Sequence, residues 1–429
     1  MMNRNDALNK VEQTLALVSS DTATVSLSAN REGATRYANN IITQNVAADR
    51  ITLRVSAAFG QKVGIATTNQ LDADSLADAV KRAEDAARAS DPDLEYLPPL
   101  GAQDYPEIHG HSADTAAAGP QDRARIVAAL TGAPRNAGYR AAGSVTVSEN
   151  FDAIGTSTGL RAYHPYTNAR VLCTVIADGA SGWAGAGSYD LASISIDEIA
   201  ERAFRKGEDA RNPVEVEAGP TTVILEPQAV ADLLEYLVWD MDAKAADEGR
   251  SVFTGKEGTR VAGPEITVRS QPAHPLVPGS PFLADGAAAS DVQWLDAGTV
   301  KSLKTSRFWA QKTGRERVGM PGNVIMDGGS ASTQDLVARV ERGLLVTRFW
   351  YIRTVDPMKQ LLTGMTRDGV YRIEDGKIAG AALNMRFNES PLRMLANVKA
   401  LGTPVATREE VVAPALLIND FHFTSVTRF

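Results

Sequence analysis

The alternation of apolar and polar residues near the N-terminus constrains the fold of this chain most. Runs with the two-residue period of a half-buried strand occupy residues 22–29, 35–46, 51–58 and 62–68, separated by turns that carry Gly, Asp or Asn. Strands this close in sequence are joined by short turns and therefore pair antiparallel. Apolar residues then recur at helical spacing over residues 75–90, so the sequence predicts an antiparallel meander closed by a helix.

A second unit of helices and strands follows a segment that has neither period. Residues 92–120 are rich in Pro, Gly, Asp and Ala, and we expect an exposed connection there. Two helical patterns then bracket a group of strand patterns. The sequence therefore predicts an N-terminal α+β region over residues 1–215, in which the connection joins subdomains at about 1–95 and 120–215.

The rest of the chain is richer in strand patterns. The run TTVILEP at residues 221–227 predicts a buried strand, and the pattern after it predicts a helix that continues to about Asp247. From Glu265 onward, strand patterns alternate with Asp-Gly turns, and YRIEDGKIAG at 371–380 is typical of a hairpin. We expect an α+β protein with a β-rich C-terminal domain over residues 216–429.

Composition excludes several classes of protein. The 429 residues, 44% of them hydrophobic, are enough for two or three domains with their own cores. A formal charge of -8 leaves no excess of cations for nucleic acid or anionic lipid, and no apolar run is long enough to span a membrane. One cysteine, Cys173, excludes an internal disulfide, which suits a reducing compartment. Without the pattern of a signal peptide, we expect a cytoplasmic protein.

The histidines do not have the spacing of a helical zinc site. Such a site needs two imidazoles on one helix face beside a glutamate that activates water. None of the five histidines has another four or five residues away, and they are His109, His111, His164, His274 and His422. His109 and His111 could bind a metal as a strand pair, but their place in the predicted connection favours surface residues. Both interpretations stay open for this pair.

Two nucleophile candidates have ordinary structural explanations. The tract GTSTG at residues 155–159 matches G-x-S-x-G, which exposes a serine nucleophile on a strand-to-helix turn. A strand pattern follows it instead of a helix, so we interpret Ser157 as part of a turn between strands. Cys173 lies in VLCTVIA without a neighbouring cation that would favour a thiolate, and we expect a core residue.

One segment is the most specific point of comparison with a known family. LLEYLVWDMDAKAADEGRSVFTG at residues 233–255 resembles the TldD segment in which LLHEAVGHG precedes a GTSxFSG-like turn. When the two segments are aligned on GRSVFTG, residues 249–255 of this chain, the helix before it aligns without a gap. The two zinc-ligand histidines of the TldD motif then fall on Leu234 and Trp239, and its glutamate falls on Glu235. Neither Leu nor Trp can coordinate zinc, and a glutamate without zinc has no catalytic role here.

Sparser landmarks extend the resemblance over nearly the whole chain. They occur in the family's order and are TRYANN, IGTSTG, GLLVTRFWYIR and TGMTRDGVYRIEDGKIAGA. The ending VVAPALLINDFHFTSVTRF lacks the late cysteine that serves as the third zinc ligand in TldD-type subunits, and its PxLLI run resembles TldE-type members. The chain thus resembles a TldE/PmbA-type subunit of the TldD/TldE (PmbA) metallopeptidase family, without the HExxxH zinc motif. The resemblance implies a C-terminal domain of the TldD/PmbA type.

What the resemblance implies is a division of labour between two subunits. This chain would have no metal, no cofactor and no catalytic residue, while a TldD-like homologue would hold zinc in a heterodimer that processes leader or unfolded peptides. Because an extended peptide can add to an exposed sheet edge, we expect the peptide groove near a small set of residues. These are Arg307, Gly343, Leu344, Leu345, Val346 and Thr347. The alternative is a stand-alone peptide-binding or scaffolding homodimer without protease activity.

Overall fold

A computed structural model describes residues 1–408 and 410–427. The helices are α1 (Arg4–Leu15), α2 (Ala73–Ala89), α3 (Ala113–Ala117), α4 (Pro120–Asn136), α5 (Ile196–Asp209), α6 (Pro227–Trp239), α7 (Ala243–Asp247), α8 (Arg307–Thr313), α9 (Thr333–Val337) and α10 (Pro391–Ala396). The strands up to the middle of the chain are β1 (Thr22–Ala38), β2 (Ile41–Phe59), β3 (Lys62–Thr68), β4 (Arg140–Thr156), β5 (Arg161–Ala177), β6 (Ala180–Ser188) and β7 (Gly219–Leu225). The later strands are β8 (Val268–Ser270), β9 (Val292–Asp296), β10 (Thr299–Val300), β11 (Val324–Met326), β12 (Arg342–Asp356), β13 (Leu361–Glu374), β14 (Lys377–Ala381), β15 (Met385–Glu389), β16 (Val398–Leu401), β17 (Val405–Ala406), β18 (Val411–Ala413) and β19 (Leu416–Val426).

The first six strands form one antiparallel sheet in the order β3-β2-β1-β4-β5-β6. The predicted meander is present, but its first three runs are two long strands, since residues 35–46 cross the β1–β2 turn at Asn39 and Asn40. Both asparagines have positive φ, as a tight hairpin turn requires. Gly33, which looked like a turn signal, lies in β1, where a Cβ atom would meet the Arg123 guanidinium at 2.3 Å. Glycine is therefore needed at this position because the Arg123 side chain lies close to the strand, and not because the chain reverses direction.

The two faces of this sheet have different roles. Odd-numbered residues of β4 and β5, such as Val145 and Val171, pack with α4 and α5 in one apolar cluster. Residues nearer the other end of the sheet, such as Leu27 and Phe151, pack with α1 and α2 in a second cluster. Because side chains alternate between the faces of a strand, the even-numbered residues of β4 and β5 point away from these helices. They face the C-terminal half of the chain.

The C-terminal half contains a closed ring of strands and a second sheet. Pairings run from β12 to β7, β19, β15 and β13, and β13 pairs back with β12. The second sheet has the order β10-β9-β8-β11-β18-β17. The α6 helix contributes to the apolar cluster that lies between the two, together with residues of β12, β11 and β18. The predicted α+β class, with an N-terminal antiparallel sheet and a strand-rich second half, is confirmed.

The helix predicted to continue to Asp247 ends earlier. Helix α6 stops at Trp239, and α7 begins anew after Asp242, whose carboxylate accepts a hydrogen bond from the Ala245 amide. Between them, the backbone pairs with Lys304: the Lys304 amide donates to Met241 O at 2.7 Å, and the Ala243 amide donates to Lys304 O at 2.9 Å. This pairing takes the groups that a continuous helix would use.

The segment predicted as an exposed connection is held against the protein at several points. Thr158 Oγ1 donates to Leu100 O at 2.6 Å, and Tyr105 Oη donates to Gly286 O at 2.7 Å. The Thr167 amide donates to Gly110 O at 2.9 Å. The connection therefore bridges the N-terminal sheet and the C-terminal half, although its sequence has no periodic pattern. Within the described residues, no helix has the length and apolar character needed to cross a membrane.

Candidate functional site

The two positions that match the zinc-binding histidines lie in different environments at the end of α6. Leu234 is 0% exposed and belongs to the large apolar cluster, whereas Trp239 is 69% exposed at the last position of the helix. Glu235 is also exposed. Trp239 is exposed because the chain turns away after it and leaves the indole beside the Lys304 ammonium, 5.4 Å from the ring centroid.

These residues do not fit a zinc ion. Leucine has no donor atom, the indole nitrogen has no lone pair to give, and the two side chains do not share one environment. Across residues 1–408 and 410–427, no three His, Cys, Asp or Glu side chains are grouped as a metal site requires. His109 lies near Glu107 at 3.8 Å and His111 near Glu149 at 3.6 Å, so the two imidazoles face different carboxylates.

Ser157 and Cys173 have the structural roles that the sequence indicated. Ser157 lies in the turn between β4 and β5, and its Oγ accepts a hydrogen bond from the Ala23 amide at 3.0 Å. His164, the nearest histidine in sequence, pairs with Asp152 further along the same two strands. Cys173 is buried in the cluster under α4 and α5, and this burial raises the pKa of its thiol to about 11.

The predicted peptide groove on β12 is wrong. Residues Gly343 to Val346 pair with β13, and Leu344, Leu345 and Val346 also pair with β7 on the other side. Because both edges of Leu344, Leu345 and Val346 are occupied, they leave no room for an added strand. Gly343 pairs with Ile373 of β13, and Thr347 is fully buried. Arg307 begins α8 elsewhere and donates to Pro98 O at 2.9 Å. The structure does not bring these candidates together.

A sheet edge is nevertheless accessible in the N-terminal sheet. Strand β3 pairs only with residues 53–59 of β2, so among the described residues the outer edge of 41–52 has no strand beside it. Ile41, Ile42 and Val46 are exposed along it. An exposed edge with β-branched side chains is a surface on which an extended chain can pair.

The polar face of the same sheet forms one wall of a concave site. Every second residue of β4 from Ser144 to Asp152 is polar, and β5 continues this face beside it. The cavity of about 440 Å³ is lined from these strands by Thr146, Ser148, Asn150, Asp152, His164, Tyr166, Asn168 and Arg170. Asn30 and Glu32 of β1 extend the wall. Three strands, β1, β4 and β5, therefore present hydroxyl, amide and charged groups to one space.

The opposite wall comes from loops of the C-terminal half. Residues 276–280, Pro321 and Gly322 form an apolar lip, and Arg408 and Glu410 complete the rim. The backbone of the rim is fixed to the sheet, since Arg170 Nε donates to Arg408 O at 3.0 Å and the Gly187 amide donates to Thr407 O at 3.1 Å. The cavity thus lies between the two halves of the chain.

Asp152, His164 and Tyr166 form the most deeply placed titratable group in this cavity. Asp152 and His164 are direct partners across β4 and β5, and the His164 ring stacks on Tyr166 with centroids 5.4 Å apart. Burial lowers the pKa of His164 to about 4, although a hydrogen bond with the Gly279 backbone opposes this, so the ring is neutral near pH 7. Burial raises the pKa of Asp152, opposed by the Tyr166 hydroxyl hydrogen bond.

The cavity rim is connected to the α6 helix. Arg408 Nη2 donates to Asp232 Oδ1 at 3.3 Å, and the Arg408 amide donates to Gln228 Oε1 at 3.3 Å. Asp232 also accepts from the Phe349 amide at 2.8 Å and from Gln228 Nε2 at 2.9 Å. The α6 helix therefore supports the polar cavity through its buried first turns.

Sequence reasoning missed this cavity, although a signal for it was present. The even positions of β4 and β5 are polar from Thr146 to Asp152 and from His164 to Arg170, while most odd positions are apolar. Such alternation indicates a strand with one solvated face. The signal did not show that C-terminal loops would cover that face.

Comparisons with known proteins agree with this architecture. Sequence models of the PmbA/TldA metallopeptidase domain 1, central domain and C-terminal domain match residues 23–87, 66–210 and 218–425. A curated relative, a metalloprotease of Methanothermobacter thermautotrophicus, is 23% identical over 240 residues, which is 51% of this chain and 51% of the relative. The matched part thus spans only about half of that relative's length.

Solved structures show the same fold at low sequence identity. TldE from Thermococcus kodakarensis has a TM-score of 0.87 at 17% identity, covering 97% of this chain and 100% of that chain. A protein from Thermotoga maritima named as a proposed modulator of a DNA gyrase gives 0.87 at 18% identity, with the same coverage. A protein of similar name from Bacteroides thetaiotaomicron gives 0.86 at 18% identity, covering 99% of this chain and 100% of that chain.

The C-terminal domain is therefore of the TldD/PmbA type, as the sequence resemblance implied, and the three domain models cover successive parts of the chain from residue 23 to residue 425. The protein belongs to the PmbA/TldD metallopeptidase family.

Proposed function

We propose that this protein is the zinc-free, TldE-like subunit of a heterodimeric metallopeptidase, in which a TldD-like homologue holds the zinc ion and this chain helps to bind peptide. The observation that carries the proposal is the contrast between Leu234, buried in the core, and Trp239, exposed at the helix end. A zinc site needs donor atoms that converge on one point, and these positions offer neither donors nor convergence.

The cavity between the two halves supports a role in binding peptides. A peptide unit has one N–H donor and one C=O acceptor, and a side-chain amide offers the same pair. Asn168 is exposed on the cavity wall, while Asn150 is already engaged with Asn30 and Ser148. Side-chain amides and hydroxyls can satisfy peptide groups without regard to peptide sequence. That property suits leader peptides and unfolded chains of varied sequence.

An aromatic surface near the end of α6 supports docking of a second subunit. Tyr236 Oη donates to Ile352 O at 3.1 Å, so the end of α6 lies beside the β12–β13 hairpin. Trp350 and Tyr351 are exposed there, and arginines stack on them. We call the set Trp239, Trp350, Tyr351, Val355 and Met358 the hairpin surface. Trp, Tyr, Met and Arg are enriched at the centres of protein interfaces, and we assign this surface to the TldD-like homologue.

The proposal is tested with three samples: this chain alone, the TldD-like homologue alone and the two mixed. We expect co-purification of the two proteins and zinc-dependent cleavage of an unfolded peptide only in the mixture. A dimer of this chain that neither binds the homologue nor affects its activity would favour the stand-alone homodimer instead. Zinc-dependent peptidase activity of this chain alone would contradict the proposal. We place the assembly in the cytoplasm, where a single thiol would remain reduced.

A further inference from the structure

The cavity between the two halves has an excess of negative charge. Its wall and rim carry the carboxylates of Asp152, Glu32 and Glu410 against the guanidinium groups of Arg170 and Arg408. Both arginines are also held by the protein: Arg170 by the Arg408 carbonyl and Arg408 by Asp232. His164, which pairs with Asp152 across the two strands, is neutral near pH 7 because burial lowers its pKa to about 4.

Asp152 is the carboxylate within this cavity that most needs a cationic partner. Within residues 1–408 and 410–427, no Lys, Arg or His nitrogen forms an ion pair with it. The neutral Tyr166 hydroxyl is the neighbouring group that favours its ionised form and opposes the rise in its pKa. Its neighbours across the strands are Ser28 on β1 and His164 on β5, both uncharged. A partly buried carboxylate without a cation is poorly solvated, and a bound ammonium group would relieve this.

We propose that Asp152, positioned by Tyr166, binds the protonated amine of a peptide in this cavity, either an N-terminal ammonium group or a lysine side chain. The inference rests on the proposed peptide-binding function and adds the chemical group that the site selects. An ammonium group has three donors, and Asp152, the Tyr166 oxygen and the surrounding hydroxyls and amides offer acceptors. A hard divalent cation is the less suitable occupant, since the described residues offer no cluster of three ligands.

The shape of the site favours an amine at the end of an extended chain. Asp152 lies on the sheet wall, and the polar face continues from it along β4 through Ser148 and Thr146 towards Arg170 on β5. A peptide with its amine at Asp152 can therefore run along hydroxyl and amide groups, with the apolar lip at 276–280 on its other side. In this arrangement, the Asp152 carboxylate binds the amine of the peptide, and the polar side chains of β4 and β5 bind the peptide backbone.

The test measures binding of fluorescent alanine tetrapeptides to the full-length protein. One peptide has a free N-terminus, one is N-acetylated, and one is N-acetylated but contains a lysine. We expect acetylation to weaken binding at least about tenfold, because a charge-assisted hydrogen bond is lost. If the lysine restores binding, the site accepts the ammonium group of either an N-terminus or a lysine side chain. Failure of the lysine to restore binding would assign it to the N-terminal ammonium group, and both results support the proposal.

Matched variants separate the role of Asp152 from general effects on the fold. In Asp152→Asn, a near-isosteric change, we expect the free and acetylated peptides to bind equally and weakly, whereas Tyr166→Phe should give an intermediate loss. Asp178→Asn, an exposed position between β5 and β6, should bind like the unmodified protein. Thermal unfolding of each variant verifies its fold.

The outcomes also separate this inference from the proposed function. Equal binding of free and acetylated peptides by the unmodified protein would overturn the amine site while leaving peptide binding intact. Equal affinity of Asp152→Asn and the unmodified protein for the free peptide would overturn it as well. The absence of binding by any of the peptides would contradict both the amine site and peptide binding by this chain.

Discussion

The Arg408 guanidinium donates to the Asp232 carboxylate at 3.3 Å and so links the rim of the inter-half cavity to the α6 helix. Asp232 is only 8% exposed, and it also accepts a hydrogen bond from the Phe349 amide at 2.8 Å. One carboxylate thus joins a helix, a strand of the closed ring and the loop that borders the cavity. The arrangement makes α6 a structural support for the cavity.

Replacement of Asp232 by alanine should destabilise the protein strongly. The change removes the acceptor of the buried Phe349 amide and one ion-pair partner of the Arg408 guanidinium, which we expect to lower the free energy of unfolding by about 3 kcal/mol or more. Urea denaturation measures the loss. The exposed Asp49, paired with Arg31 on the surface, provides the control, and Asp49→Ala should change the free energy of unfolding by less than about 1 kcal/mol. Similar losses for both variants would contradict the role of Asp232.

Histidines at the two positions that the resemblance aligns with zinc ligands should not create a zinc site. Leu234→His places an imidazole in the apolar core, and we expect it to lower the free energy of unfolding by about 2 to 4 kcal/mol. Trp239→His lies at an exposed position and should change it by less than about 1 kcal/mol. Chemical denaturation tests both variants, and zinc analysis tests the double variant. A stably folded double variant that binds stoichiometric zinc would contradict the geometry described for α6.

The buried His164 should make the protein less stable as the pH falls. Burial lowers its folded-state pKa from 6.5 to about 4, so between these values the unfolded state binds the proton and the folded state does not. Stability attributable to this residue is therefore present above pH 6.5 and is lost as the pH falls towards 4, by about 3 kcal/mol in total. Asp152 contributes with the opposite sign, because its folded-state pKa is raised.

The contribution of His164 is isolated by comparison with His164→Gln. We expect the free energy of unfolding of this variant, measured by urea denaturation at several pH values between 7 and 4, to fall less steeply than that of the unmodified protein. All other titrating groups are common to the two proteins. Parallel pH dependences would show that the protonation of His164 is not linked to folding.

The hairpin surface should govern association with the TldD-like homologue. Trp350 is 44% exposed, and Trp350→Glu places a charge where we expect an apolar contact. We predict an affinity at least about tenfold lower in sedimentation or calorimetry, with unchanged stability of the isolated chain. Leu94 is 76% exposed in the segment between α2 and α3, outside this surface, and Leu94→Glu should leave the affinity unchanged. Equal losses of affinity in the two variants would show that the hairpin surface is not the interface with the homologue.

Local sequence patterns predicted many of the helices and strands. They could not predict which distant strands pair with each other, and the position of the site depends on that pairing. The period of two around β3 and the helical spacing of α2 correspond closely to the structure, because each depends on neighbouring residues alone. The pairing of β12 with β7 joins residues more than a hundred positions apart, such as Leu344 and Val223, and no local sequence pattern predicts it. This is why an internal strand was mistaken for an exposed edge.

The same limit explains why the inter-half cavity was missed. The polar alternation through Asp152 and His164 indicated a solvated face, but the cavity exists only because loops near Val277 and Arg408 cover that face. The resemblance to the metallopeptidase family aligned Leu234 and Trp239 with the zinc-ligand positions, and this alignment stays a prediction. Only the three-dimensional arrangement shows that one is buried and the other exposed.

We propose that the zinc ion belongs to a partner and not to this chain. Elemental analysis measures zinc in this chain alone and in its purified complex with the TldD-like homologue. We expect a negligible amount of zinc in the isolated chain and about one zinc ion per heterodimer in the active complex. Stoichiometric zinc in the isolated chain, retained after dialysis against a weak chelator, would contradict it.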